Sequence, residues 1–306
     1  MRSAVLFLIF NRPEPTRQVF EAIRAAQPPR LYVAADGARL DKEGEAERCA
    51  EVRRIATSID WPCEIKTLFR NENAGCKRAV SSAITWFFEH EEQGIILEDD
   101  CLPTGSFFPF CDEILDRYKA DTRIWQVSGS TFFSEAITET NADYFFTRYG
   151  PIWGWASWRR AWQHYDPDLK NWKAMSVPSV LKNVYSNNYE RRAKLGLGNK
   201  LDAGEIDTWD YQWGFVKNYN HALTIVSKRN QILNIGFGAD ATHTIRVNSQ
   251  APKLLIDLPA ELTHPIFMYP DSKHEQVYAR NNFRTRNIIA QKLSKLIKSV
   301  LWRKSC

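Results

Sequence analysis

The first 130 residues repeat one unit, a short apolar run that ends in a polar cluster and is followed by a segment of helical period. Apolar runs fall at 4–10, 31–35, 64–69, 94–97 and 125–128, and helical periodicity falls at about 14–26, 44–58, 75–90 and 107–120. Short apolar runs alternating with helical segments predict a parallel sheet covered on both faces. The expected class is therefore α/β, with a mostly parallel, Rossmann-like sheet and helices on both faces. Ligands of open α/β sheets bind beyond the carboxyl ends of the strands. The clusters that close the runs are Asn11-Arg12-Pro13, Asp36-Gly37, Arg70-Asn71-Glu72-Asn73 and Glu98-Asp99-Asp100. All four are expected to meet in one crevice.

Several function classes are disfavoured. The chain has neither a Gly-rich dinucleotide fingerprint nor a GxxxxGK[ST] loop, which argues against NAD and P-loop chemistry. Its six cysteines show no CxxC pair or zinc-like spacing, so reduced thiols are expected. The apolar start runs directly into Asn11-Arg12-Pro13 and reads as a strand rather than a signal segment. No run approaches the roughly 20 apolar residues of a membrane span. The net charge of +5 is concentrated at the end, where residues 273–306 hold nine Lys or Arg against Glu275 alone. A body left slightly acidic does not suit nucleic-acid binding. The expected location is cytoplasmic, peripheral at the inner face of the cytoplasmic membrane.

Glu98-Asp99-Asp100 is the sharpest local signal, because a buried-type strand delivers three consecutive carboxylates to the sheet edge. Hard cations take carboxylate oxygens and keep positions open for phosphate, so this turn suits Mn²⁺ or Mg²⁺ holding a diphosphate. A solvated acidic turn or a helix-capping carboxylate is the alternative.

Phe10-Asn11-Arg12-Pro13 closing the first strand, Asp36-Gly37 closing the second, Arg70 to Gly75 before a helix, and Glu98-Asp99-Asp100 resemble, in this order, a GT-A glycosyltransferase. The resemblance covers about residues 4–245. It is to bacterial sugar-nucleotide transferases similar to the eukaryotic Golgi β-1,2-N-acetylglucosaminyltransferase, which carry a Glu-Asp-Asp form of the Asp-x-Asp motif. It implies that Asp100 is the metal ligand, with Glu98 and Asp99 contacting the ribose or orienting the site. It places Phe10, Asn11, Arg12, Asp36, Arg70, Asn73 and Gly75 around the donor, with Asp36 at the base. Read as residues alone, Arg12 could be a surface arginine, Asp36-Gly37 a turn and Asn73 a capping residue.

The second half supplies three further segments. Five tryptophans lie between 153 and 172, and sugars pack on indole faces, so Trp153, Gly154 and Trp155 are candidates for an acceptor wall, the other reading being core anchors. Asp207 and Asp210 lie in Glu205-Ile206-Asp207-Thr208-Trp209-Asp210-Tyr211, and an inverting transferase needs one carboxylate to take the acceptor proton. The Golgi-type enzymes carry a similar Trp-Asp-Asp-Trp stretch in which Tyr211 here replaces the second Asp, so Asp210 is the preferred base and Asp207 the reserve. Residues 234–244 resemble a closing lid, with Thr242 toward the donor and His243 toward the metal. Residues 284–302 read as a cationic amphipathic helix suited either to an anionic membrane surface or to ordinary packing.

The expected organisation is a catalytic region over 1–250, made of a donor half (1–130) and an acceptor half (131–250), then a C-terminal extension over 251–306. The expected activity is metal-dependent, inverting transfer from a nucleotide-diphosphate sugar, UDP-linked, to a glycan or lipid-linked hydroxyl in cell-surface polysaccharide synthesis. The competing classes are a non-catalytic carbohydrate-binding protein and a sugar-1-phosphate nucleotidyltransferase. The latter would need a Gly-rich loop and a lysine after the first strand, which Asn11-Arg12-Pro13-Glu14-Pro15 does not supply.

Overall fold

A computed structural model describes residues 1–131, 136–170, 172, 176–236 and 254–283. The first half alternates as expected: β1 (Ala4–Ile9), α1 (Pro13–Ala26), β2 (Arg30–Ala35), α2 (Glu45–Ala56), β3 (Glu64–Phe69), α3 (Gly75–His90) and β4 (Gln93–Glu98). Then come β5 (Cys101–Pro103), α4 (Phe107–Arg117), β6 (Ile124–Ser128), β7 (Tyr144–Thr147), β8 (Trp155–Trp158), α5 (Arg159–Trp162), α6 (Val177–Val184), α7 (Asn188–Asp202), α8 (Asp210–Tyr219), β9 (Leu223–Ser227), β10 (Ile232–Asn234) and α9 (Ser272–Phe283).

Eight strands form one sheet in the order β3-β2-β1-β4-β8-β6-β9-β7. β1, β2, β3 and β4 pair in parallel, and so do β6 and β9, whereas β8 and β7 run antiparallel to their neighbours. The chain steps outward from β1 to β3 and then returns to place β4 on the other side of β1. That reversal is the topological switch point at which open α/β sheets form their ligand crevice. It leaves the ends of β1 and β4 side by side.

The period-2 alternation of each strand divides the core into two faces. Val5, Phe7 and Ile9 meet Val19 and Phe20 of α1, Val52 of α2 and Ile114 of α4. Ala4, Leu6 and Leu8 meet Ile84 and Phe87 of α3 together with Trp162, Trp209 and Trp213. A third cluster joins α6, α7 and α8 around Trp172 and Phe215. The last described segment packs back onto the body: Glu275 of α9 is buried and accepts from Arg148, and Tyr278 lies 4.1 Å from Tyr149, centroid to centroid. Among the described residues no helix is long and apolar enough to cross a membrane.

The tryptophan-rich segment corrects one expectation. Trp155 is 0% exposed at the start of β8, stacked on Trp209 at 5.7 Å and tilted against Trp162 and Trp213. An indole sealed in the core has no face left for a sugar, so Trp155 is not an acceptor residue. Gly154 has a φ of +59° and turns its missing side chain toward Ile232 and Leu97, so it serves chain reversal and packing rather than substrate approach. Trp158, Trp162 and Trp172 are buried as well. Trp153 alone of the proposed wall stays half-buried and faces the cleft described below. Trp155→Ala is therefore expected to cost about 3–5 kcal/mol in urea unfolding, the range for emptying a buried aromatic site. Trp153→Ala should cost markedly less; equal losses would contradict the assignment.

Candidate active site

One cleft of about 670 Å³ opens where the strands end. It is lined by Phe10 and Arg12 after β1, Asp36 and Arg39 after β2, Arg70 and Asn73 after β3, and Glu98, Asp99 and Asp100 after β4. The four polar clusters thus do meet in one crevice. The opposite wall comes from Ile152 and Trp153, residues 206–211, Asn234 and Gly236.

The acidic turn is buried, not solvated. Asp99 and Asp100 are 4% and 9% exposed, and Glu98 is largely enclosed. Arg12 reaches across the switch point, pairing through Nη2 with Asp99 and through Nη1 with Asp100 Oδ2 at 3.0 Å. Burial opposes the charge on Arg12, but Asp99 and Asp100 outweigh it and hold the guanidinium protonated. Burial, then the charges of Asp100, Asp99 and Asp210, push the Glu98 carboxyl well above the usual carboxylate range. Asp99 is also raised by burial, against the pull of Arg12. Asp99 Oδ2 and Glu98 Oε1 are buried with no hydrogen-bond partner among the described residues. Behind the turn, β5 pairs antiparallel with β10, and the Ile235 amide donates to the Asp100 carbonyl at 2.8 Å.

Asp36 lines the cleft, yet its carboxylate is engaged by backbone. Oδ1 accepts from the amides of Gly37 and Ala74 at 3.0 Å, and Oδ2 from Gly75 at 3.2 Å, so Asp36 closes the start of α3 from outside the helix. Asn73 Nδ2 donates to the Gly37 carbonyl at 2.8 Å and locks the same turn. Arg70 borders the cleft and donates to Ser82 Oγ at 2.6 Å. Asn11 departs from expectation. It does not line the cleft, and its Nδ2 donates to buried Glu45 Oε1 at 2.8 Å. The wish of Glu45 for donors turned it inward.

Both candidate bases face the cleft. Asp207 approaches the first residue of α3, where a side chain on Gly75 would come within 3.0 Å of Oδ2. Asp210 opens α8 and accepts from the Thr208 hydroxyl. Cys76 lines the same cleft, and its thiol is pushed up to about 12 by burial and by the charges of Glu98, Asp207 and Asp210. Thr242, His243 and the basic segment 284–302 lie outside the described residues.

Sequence reasoning missed Arg39 and Glu45. Arg39 borders the cleft 5.6 Å from the Phe10 ring, held by Glu45 through Nη2 at 2.6 Å and Nε at 3.0 Å. Arg53 was also missed, and it donates to the backbone carbonyls of Asp36 and Arg70 at 3.1 and 2.6 Å, tying the ends of β2 and β3 together. An acid at the first turn of α2 was the one available signal for Glu45, and helix polarity alone accounts for such an acid.

Arg39 holds the Glu45 carboxyl at about 2, below the ordinary 4.5. A carboxyl lowered by folding adds stability that is complete above pH 4.5 and is lost as the pH falls toward 2. Glu45→Gln is thus expected to cost about 1–3 kcal/mol at neutral pH. In urea unfolding the gap between the two proteins should narrow from pH 4.5 down to about 3; a gap independent of pH would contradict this.

No family model matches the chain, and no curated protein matches it. Among solved structures it is similar to S. aureus TarS 1–349, at 9% identity and a TM-score of 0.41 over 76% of this chain and 59% of that one. It is also similar to mouse xyloside xylosyltransferase 1 in its apo form, at 11% identity and a TM-score of 0.35 over 72% of this chain and 84% of that one. A third is 4-diphosphocytidyl-2C-methyl-D-erythritol synthase from Anaerococcus prevotii DSM 20548, at 8% identity and a TM-score of 0.34 over 57% and 78%. These are loose likenesses in overall shape, from which no activity is inferred.

Proposed function

We propose that the chain is a glycosyltransferase that moves a sugar from a nucleotide-diphosphate donor, a UDP-sugar, to a hydroxyl of a glycan or lipid-linked acceptor. The observation that carries this reading is the buried corner at the β1–β4 switch point, where three carboxylates face one guanidinium inside a cleft of about 670 Å³. The same four strand-end motifs support it through their resemblance to the GT-A glycosyltransferases.

A divalent cation fits this corner. The donors are carboxylate oxygens, two of them buried and unpartnered among the described residues, and negative charge remains after Arg12 is counted. Among the described residues no three His, Cys, Asp or Glu side chains form a ready cage. The matching ion is one that binds through one or two carboxylates and completes its shell with water and phosphate, as Mg²⁺ does. Asp100 would hold it, with His243 as a second candidate. Such an ion supplies neutralisation of the charge that builds on a departing diphosphate.

The remaining chemistry belongs to the side chains. Asp210 takes the proton of the acceptor hydroxyl as its oxygen attacks the anomeric carbon and the bond to the diphosphate breaks. Thr208 orients that carboxylate through its hydrogen bond, and Asp207 stands in reserve at the same wall. Phe10 and Arg39 border the nucleoside end, while Trp153 and Tyr211 give aromatic surface to the acceptor side. Peripheral attachment through 284–302 would bring the cleft to lipid-linked acceptors.

Release of free sugar and UDP from a UDP-sugar, in the presence of Mn²⁺, is the measurement. We expect turnover to be removed by EDTA and lowered at least about 100-fold in Asp100→Ala, on the scale of losing a charge-stabilising group. Asp210→Asn should lower kcat for transfer about 10²–10⁴-fold with donor affinity retained. A protein that binds glycans and never turns over a nucleotide sugar would instead be a carbohydrate-binding module.

A further inference from the structure

We infer that Arg12 is a resident cation that competes with the divalent ion for Asp100, and that its release ties ion binding to diphosphate binding. This rests on the function proposed above and adds a positioning role for one residue of the site.

Three observations carry it. The backbone of Arg12 is pinned, since its carbonyl accepts from the amide of Thr16 at 3.1 Å and from the Thr16 hydroxyl at 2.7 Å, so its options lie in the side chain. The guanidinium spends both terminal nitrogens on the acidic turn, with Nη1 3.0 Å from Asp100 Oδ2. That oxygen is also walled by Gly236, where any side chain would collide with both Asp100 and Arg12 Nη1. An ion on this oxygen would have to share it with the guanidinium, and two cations sharing one carboxylate oxygen repel strongly where water is scarce.

An ion that takes Asp100 therefore turns out the Nη1 end of Arg12. The guanidinium then keeps only Asp99, with just 16% of its side chain exposed, and a largely enclosed cation that loses one of its two partners is destabilised. Within the same cleft the anion suited to receive it is the donor diphosphate, since guanidinium and phosphate oxygens pair in a forked geometry. Ion alone thus displaces a good pair without compensation, whereas ion and diphosphate together restore one. Binding of each should strengthen binding of the other.

The test measures Mn²⁺ affinity of the full chain by the electron paramagnetic resonance signal of free Mn²⁺, with and without UDP. A protein-free titration gives the Mn²⁺–UDP background. Wild type should bind Mn²⁺ weakly alone and about tenfold or more tightly with UDP, within the usual range of coupling between sites. Arg12→Ala should bind Mn²⁺ alone more tightly than wild type and lose most of the gain from UDP. Arg12→Gln, closer in size, repeats the measurement should the alanine variant melt early. Arg17→Ala removes a cation of α1, the helix that Arg12 precedes, which pairs with Glu14 and Glu51 instead, and should change neither value. Arg12 variants that bind Mn²⁺ no better than wild type, or keep the full gain from UDP, would overturn the inference while leaving the transferase reading intact. Asp100→Ala with unchanged Mn²⁺ binding would overturn both, by removing the shared site.

Discussion

The end of β4 concentrates a cost that the rest of the site is arranged around. Glu98, Asp99 and Asp100 follow one another into a place where two of the three are almost fully buried. Carboxylates out of water are expensive unless paired. Arg12 pairs with two of them, and burial with the neighbouring charges pushes the Glu98 carboxyl well above the usual carboxylate range. Two buried oxygens there have no hydrogen-bond partner among the described residues, and under the proposed function a cation would occupy this corner beside the anionic leaving group.

The sheet makes this corner by its order of strands. Because the chain winds outward to β3 and returns to place β4 beside β1, the β1 turn that carries Arg12 abuts the β4 turn that carries the acids. The β5–β10 ribbon backs the acidic turn, and α8 brings Asp210 to the facing wall. The tryptophans belong mostly to the foundation. Trp155, Trp162, Trp209 and Trp213 pack as one buried aromatic body, of which Trp209 also borders the cleft, and Trp153 alone of the proposed wall reaches the cleft.

The donor half was legible in sequence because its central strands are buried on both faces and its helices are regular. Ala4–Ile9 announces itself by composition, Glu64–Phe69 is a partly exposed edge strand, and each is closed by a polar turn. The acidic turn could be read as a site from three adjacent charges after an apolar strand. What could not be read depends on contacts between distant residues. The insertion of β8 between β4 and β6, which buried Trp155, leaves no local mark, since an indole at a surface and an indole in a core look alike in sequence. The turn of Asn11 toward Glu45, 34 residues away, and the capture of Asp36 by the start of α3 are likewise decided by tertiary neighbours. The helical period with basic residues at 284–302 lies outside the described residues.

The most direct test of the account is a crystal of the full chain grown with Mn²⁺ and UDP. The ion is expected at Asp100, with the diphosphate beside it and Arg12 Nη1 moved off Asp100 toward the phosphates. An ion and nucleotide bound elsewhere, with the Arg12 bridge to Asp99 and Asp100 undisturbed, would contradict it.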